Sequence, residues 1–254
     1  MPDLEISMPR TKEQVEFDAA GLGKLIEAAY LTRNREPHDR SRKTFPPSGI
    51  GYGSGTCARR WFYEFNTPAV REDDTNAFQQ SNMMWGTERH ERLQELFEKT
   101  DILIETEREI LSDDPPIRGF VDLIVEWGGI TVGEIKTIKQ EAFTLLRASG
   151  KPRGYQLIQL LIYMNILEID RGFFLYENKN TGELLILPVF MDEENRSIID
   201  NAFDWMRESF KNEELPTRPF DSKSSMACKT CPFKKFCWQD ADGTRDMPLL
   251  EVPE

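Results

Sequence analysis

The chain has 254 residues, and its 32 Lys and Arg against 44 Asp and Glu give a formal net charge of −12. With 39% hydrophobic and 11% aromatic residues, it carries the packing material of a folded protein rather than a disordered one. No uninterrupted apolar run approaches the roughly 18 residues of a membrane span, and the opening MPDLEISMPRTKEQVEFD has no apolar stretch behind a basic end, so a secretory signal is not expected.

The expected setting is therefore cytoplasmic and reducing, where cysteines serve metals or chemistry more often than disulfides. Net acidity argues against nonspecific coating of nucleic acid by the whole surface but leaves room for a local basic groove. Basic residues are indeed segregated: Arg33, Arg35, Arg40, Arg42, Lys43, Arg59 and Arg60 fall in one stretch, and four lysines without an acid fall between Ser222 and Cys237. Both stretches adjoin cysteines.

In chain order, residues 11–31 repeat apolar positions (Val15, Leu22, Leu25, Ile26, Ala29) at helical spacing. FPPSGIGYGSG at 45–55 is glycine-rich, yet it lacks the Lys-Ser/Thr of a phosphate loop and the spacing of a dinucleotide loop, so it reads as a connecting loop. CARRWFYEF then predicts a short helix presenting Cys57, Arg59 and Arg60. Residues 81–99 predict a helix whose His90, Leu93 and Phe97 share an inward face. An inward histidine is either a core residue or a ligand. The stretch 102–110 alternates as a strand, ended by Pro115 and Pro116.

In RGFVDLIVEWGGITVGEIKTIK, period-two alternation sets Phe120, Asp122 and Ile124 on one side, with Val121, Leu123, Val125 and Trp127 on the other. After Gly128-Gly129 a second strand aligns Ile130, Val132, Glu134 and Lys136. Charges among apolar strand residues are costly unless paired or metal-bound, although an edge strand with a solvated face would also accommodate them. A helix over 154–168 places Gln159 and Tyr163 one turn apart. Strands at 172–178 and 183–190, a helix at about 192–211 and a lysine-rich cysteine tail complete a mixed α/β order.

Two carboxylates on neighbouring strands, Asp122 and Glu134, suit a hard divalent cation such as Mg²⁺, or Mn²⁺ where an imidazole joins them. Phosphodiester hydrolysis needs such an ion to stabilise phosphoryl charge and acidify a water. Lys136, on the same face as Glu134, could orient that water or neutralise the transition state.

With these residues in place, the chain resembles the PD-(D/E)xK nuclease superfamily, in particular its RecB-like iron–sulfur branch of CRISPR-associated exonucleases and phage relatives. The resemblance spans about 53–238 and rests on Cys57 with Arg59 and Arg60, GTERH at 86–90, GFVD at 119–122, GEIK at 133–136, QLLIY at 159–163, and Cys228, Cys231 and Cys237. Val121 stands where the superfamily's name has proline. The resemblance implies a restriction-endonuclease-like core, a mixed sheet flanked by helices, with the terminal arms joined by an iron–sulfur cluster. The expected division is an N-terminal helical arm over 1–80, a nuclease core over 81–191 and a C-terminal helix with the cysteine tail over 192–254.

It further implies that His90, Asp122, Glu134 and the Ile135 carbonyl hold the catalytic metal, that Lys136 is the catalytic lysine, and that Gln159 and Tyr163 assist. Cys57, Cys228, Cys231 and Cys237 would hold a [4Fe–4S] cluster as a structural clamp; zinc and unliganded thiols are the alternatives. Arg59, Arg60, Lys229, Lys234 and Lys235 would contact DNA phosphates. Tyr52, Trp61, Phe62, Phe233, Phe236 and Trp238 would either stack on bases or pack the cluster. The expected activity is a metal-dependent, single-strand-preferring DNA exonuclease in DNA processing, with protein partners in such a complex possible. The competing expectation is a catalytically silent iron–sulfur DNA-binding or recruitment subunit.

One geometric expectation follows from the hairpin. A two-residue Gly128-Gly129 turn would pair Trp127 with Ile130 and set Asp122 against Ile135, sending Glu134 through the opposite side of the sheet. The chemistry requires a register one residue away, with Asp122 opposite Glu134, as a three-residue turn or a bulge would produce.

Overall fold

The computed structural model describes residues 21–29, 31, 43–72 and 76–254. Residues 21–29 and 31 are helical; the rest of the helix expected over 11–31 lies outside the described residues, as do Arg33, Arg35, Arg40 and Arg42. The chain divides into two units, Met1–His38 with Asp74–Thr87, and Asp39–Asp73 with Glu88–Glu254. The second unit contains the sheet and all four cysteines. Among the described residues, no helix is long and apolar enough to cross a membrane.

Helix α1 (Ala58–Asn66) follows two short 3-10 turns, and helix α2 (Ala77–Phe97) starts four residues before the predicted boundary. The strands are β1 (Leu103–Asp113), β2 (Pro116–Glu126), β3 (Ile130–Ile138), β4 (Arg171–Asn178) and β5 (Leu184–Phe190). They form one mixed sheet in the order β1-β2-β3-β4-β5. Only β3 and β4 run parallel, and a parallel pair needs a crossover. Helices α3 (Gln140–Ser149) and α4 (Gly154–Ile166) provide it. Helix α5 (Glu193–Lys211) and two short tail helices, α6 (Met226–Lys229) and α7 (Lys234–Gln239), follow.

Helix α4 is apolar on nearly every side, and Ile158 and Leu160 to Met164 are all buried, as expected of a helix enclosed by protein. Helix α5 is amphipathic instead. Its Asp192 cap accepts from the Asn195 amide at 2.9 Å, with Glu193 and Glu194 in the first turn and Lys211 in the last. One face of the sheet (Ile124, Val132, Phe174) packs with α4, Trp205 and Met206 of α5, and Trp61 and Phe65 of α1. The other face (Leu123, Val125, Ile135, Leu175) packs with Leu93 and Phe97 of α2.

Strict alternation fails at one place. Val121 joins the larger core together with Ile124, and Phe120 is largely exposed rather than sharing the site face. The ladder to β1 pairs Thr106 with Leu123 and Arg108 with Val121, and Glu107 between them takes a left-handed φ of 51°. The register shift of this ladder lies further along, between Leu103 and Glu105.

Candidate active site and cysteine cavity

The β2–β3 turn has three residues. Glu126 pairs with Ile130 and Leu123 with Gly133, leaving Trp127, Gly128 and Gly129 as the loop. Gly128 and Gly129 take φ of 65° and 119°, which a side chain would resist. Continuing this register sets Asp122 opposite Glu134, the arrangement that the chemistry required. The ladder itself stops at Leu123 and Gly133, and the next amide, Ile135 N–H, donates to Asp122 Oδ2 at 2.7 Å. Gly133 closes this fork tightly: a Cβ there would lie 2.6 Å from Phe173 Cζ and 3.0 Å from Leu123 Cβ.

Glu134 is 1% exposed. Its Oε1 accepts from Lys136 Nζ at 2.5 Å and from Gln159 Nε2 at 2.7 Å, and Gln159 Nε2 also donates to Tyr163 Oη at 3.1 Å. The predicted Gln159–Tyr163 pair thus buttresses the carboxylate from α4. Glu134 Oε2, buried as well, has no hydrogen-bond partner. Burial, then the negative charge of Asp122, pushes the Glu134 carboxyl up to about 8, against the opposing pull of Lys136. Burial works against the Lys136 ammonium too, but Glu134 and Asp122 outweigh it and its pKa is raised. Both groups feel two carboxylates set against one ammonium, with burial the larger cause at Glu134.

His90, half-buried on α2, places Nδ1 3.6 Å from Asp122 Oδ2. The inward histidine therefore faces the acidic pair and is not simply a core residue. One turn along the helix, Gln94 Nε2 donates to the Asp122 carbonyl at 3.1 Å and to Glu107 Oε1 at 2.7 Å. Gln94 and Glu107 were not singled out from the sequence. Glu107 is one of three alternating glutamates in ETERE, and only its register opposite Asp122 and its left-handed backbone distinguish it.

Among the described residues, no three His, Cys, Asp or Glu side chains form a group that could hold one metal ion. As placed, His90, Asp122 and Glu134 share a pocket without closing on a common point. Asp122 Oδ2 is held by the Ile135 amide and Glu134 Oε1 by Lys136 and Gln159. Ile135, expected to offer its carbonyl, is fully buried between Asp122 and the β4 ladder. The donor set nevertheless fits a hard divalent cation, since an orphaned buried carboxylate oxygen and an uncompensated negative charge are what such an ion would relieve.

The second site is a cavity. Cys57, just before α1, Cys228 in α6, Cys231 after it and Cys237 in α7 all line one hollow, together with Arg60, Lys234 and Trp238. All four are free thiols. Burial pushes Cys57 up to about 12 and also raises Cys231, so without a cation these thiols stay protonated.

One of the expected phosphate contacts is corrected by burial. Arg59 is 1% exposed and donates to the Pro216 carbonyl at 2.5 Å, the Ala241 carbonyl at 2.7 Å and Cys237 Sγ at 3.2 Å. It ties α1 to the C-terminal tail and is not free to meet a phosphate. Arg60, its side chain 12% exposed, lies in the cavity wall 3.5 Å from Glu64. Lys229 and Lys235 are exposed, Lys234 is half-buried, and Lys235 pairs with Glu72 at 3.2 Å. Among the aromatic residues, Trp61 and Phe233 are core, Phe62, Phe236 and Trp238 are half-buried, and Tyr52 is exposed against Tyr155 at 4.8 Å.

No protein-family profile and no curated protein matches the chain. Solved structures do. SSO0001 is 19% identical, covering 87% of this chain and 96% of that one, with a TM-score of 0.46. An alkaline exonuclease (LHK-Exo) from Laribacter hongkongensis is 15% identical, covering 72% of this chain and 90% of that one, with a TM-score of 0.47. The complex of LHK-Exo with dAMP is 17% identical, covering 66% and 88%, with a TM-score of 0.48. Identities this low leave the chemistry to be read from this chain's own side chains.

Proposed function

We propose that this chain is a divalent-metal-dependent DNA nuclease that prefers single strands and degrades them from an end. The observation that carries the reading is the buried Glu134 carboxylate, one oxygen held by Lys136 and Gln159 and the other without a partner, across the strand fork from Asp122. The residues that would hold the ion are Asp122, Glu134 and His90, with the Ile135 carbonyl; bound there, Mg²⁺ or Mn²⁺ supplies phosphoryl charge stabilisation and a more acidic water.

The chain's own groups do the rest. The Ile135 amide fixes the Asp122 carboxylate, and Gln159 with Tyr163 fixes Glu134. Lys136 already sits at Glu134 with its ammonium charged, ready to offset charge that develops on a transferring phosphoryl group. DNA as the substrate follows from the resemblance of the motifs and from the exposed lysines of the tail.

The same proposal gives the four cysteines a [4Fe–4S] cluster with a structural role. Four free thiols around one cavity support it.

The deciding experiment incubates anaerobically purified protein with end-labelled single-stranded and duplex DNA, with Mg²⁺, with Mn²⁺ and with EDTA. Release of short products from single strands, dependent on metal, is expected. Metal-dependent DNA binding without hydrolysis would overturn the nuclease reading in favour of a DNA-binding subunit.

A further inference from the structure

Buried donors without acceptors are rare in folded proteins and cost about 1–3 kcal/mol each. Among the described residues, five buried side-chain atoms lack a partner, and three are N–H donors on two residues that line the cysteine cavity: Arg60 Nε, Arg60 Nη1 and Trp238 Nε1. The concentration of orphan donors at one hollow indicates a missing acceptor. Arg60 is also short of counter-charge. Its guanidinium lies 3.6 Å from the centre of the Trp61 ring, 3.5 Å from Glu64 through Nη2 alone, and under repulsion from Arg71. Burial lowers its pKa to about 10, and the nearby sulfurs of Cys231 and Cys57 pull the other way.

An arginine poised so needs an anionic acceptor with diffuse charge. Sulfide and thiolate sulfur accept N–H hydrogen bonds, and net charge and such bonds govern the reduction potential of a cluster. Arg59 sets the local precedent, with Nε on Cys237 Sγ at 3.2 Å.

We infer that Arg60 and Trp238 join Arg59 as hydrogen-bond donors to the sulfur atoms of the cluster held in this cavity, and that Arg60 is a cation balancing its negative charge. This rests on the cluster reading above. Arg60 is then a positioning residue for the cluster, not a contact for DNA.

The test uses the full chain reconstituted anaerobically, comparing the natural protein with Arg60→Gln, Arg60→Lys and Trp238→Phe. Iron and sulfide content, the midpoint potential and the rate of bleaching in air are measured. Removing a cation favours the oxidised cluster, so Arg60→Gln should shift the potential negative and bleach faster. Arg60→Lys should fall between it and the natural protein, and Trp238→Phe should give a smaller shift of the same sign. If Arg60→Gln fails to retain iron, the Arg60→Lys and Trp238→Phe shifts decide. Variants with full iron and unchanged potential and bleaching would overturn the donor role while leaving the cluster reading intact. A natural protein that takes up zinc and no iron would overturn both.

Discussion

Replacing Glu134 by Gln separates the cost of a buried charge from the shape of the site. Glutamine mimics the protonated acid: its carbonyl can accept from Lys136 and Gln159 as Oε1 does, and it carries no charge. The Glu134 carboxyl is raised from its ordinary 4.5 to about 8 by burial and by Asp122. A carboxyl raised on folding contributes stability that is complete below the unfolded value and is lost as pH climbs through the folded one. The window is therefore pH 4.5 to about 8, and the loss across it is on the order of 4–5 kcal/mol.

Domains of this size shift in Tm by about 2–4 °C per kcal/mol. In EDTA, the natural protein should therefore lose ~10 °C between pH 5 and pH 9 relative to Glu134→Gln, the two being similar at pH 5. Mg²⁺ at pH 9 should restore the natural protein and leave the variant unchanged, since binding to the native carboxylates adds stability by mass action. Differential scanning calorimetry at pH 5, 7 and 9, with EDTA and with Mg²⁺, measures this. Parallel pH profiles for the two proteins, or equal metal stabilisation of both, would refute the account of Glu134 as a buried charge awaiting a cation.

Lys136→Ala should reduce hydrolysis by at least ~100-fold while DNA affinity in Ca²⁺ changes little, since the cation acts on transition-state charge; near-normal turnover would place the catalytic lysine elsewhere. Arg59→Ala should destabilise by about 2–4 kcal/mol in urea denaturation, because the Pro216 and Ala241 carbonyls lose a buried donor. An Arg59→Ala protein of normal stability but weak DNA binding would reverse our assignment. Gly133→Val should cost ~1–3 kcal/mol or more through overpacking against Phe173 and Leu123, read as a lowered urea midpoint; a midpoint at the natural value would show the fork to be looser than described.

Much of the architecture was legible in the residues alone, because periodicity is a local property. The strands at 102–110, 172–178 and 183–190, the apolar α4 and the capped α5 all follow from side-chain spacing. The register that sets Asp122 towards Glu134 did not follow from spacing: Gly128-Gly129 could equally close a two-residue turn, and only the expected chemistry demanded the three-residue turn observed.

Burial, by contrast, is set by what packs from elsewhere in the chain, and no local pattern reports it. Arg59 and Arg60 read as a basic pair for phosphate, yet the C-terminal tail folds over them and supplies carbonyls to one and a cysteine-lined wall to the other. Glu107 looked like its neighbours Glu105 and Glu109 until pairing with β2 placed it opposite Asp122. Composition and spacing determined the elements and their charged residues. Contacts across 13 to 28 residues at the acidic site, and across 157 to 182 residues at Arg59, decided which charges face water and which do not, since desolvation depends on the whole surrounding volume rather than on sequence neighbours.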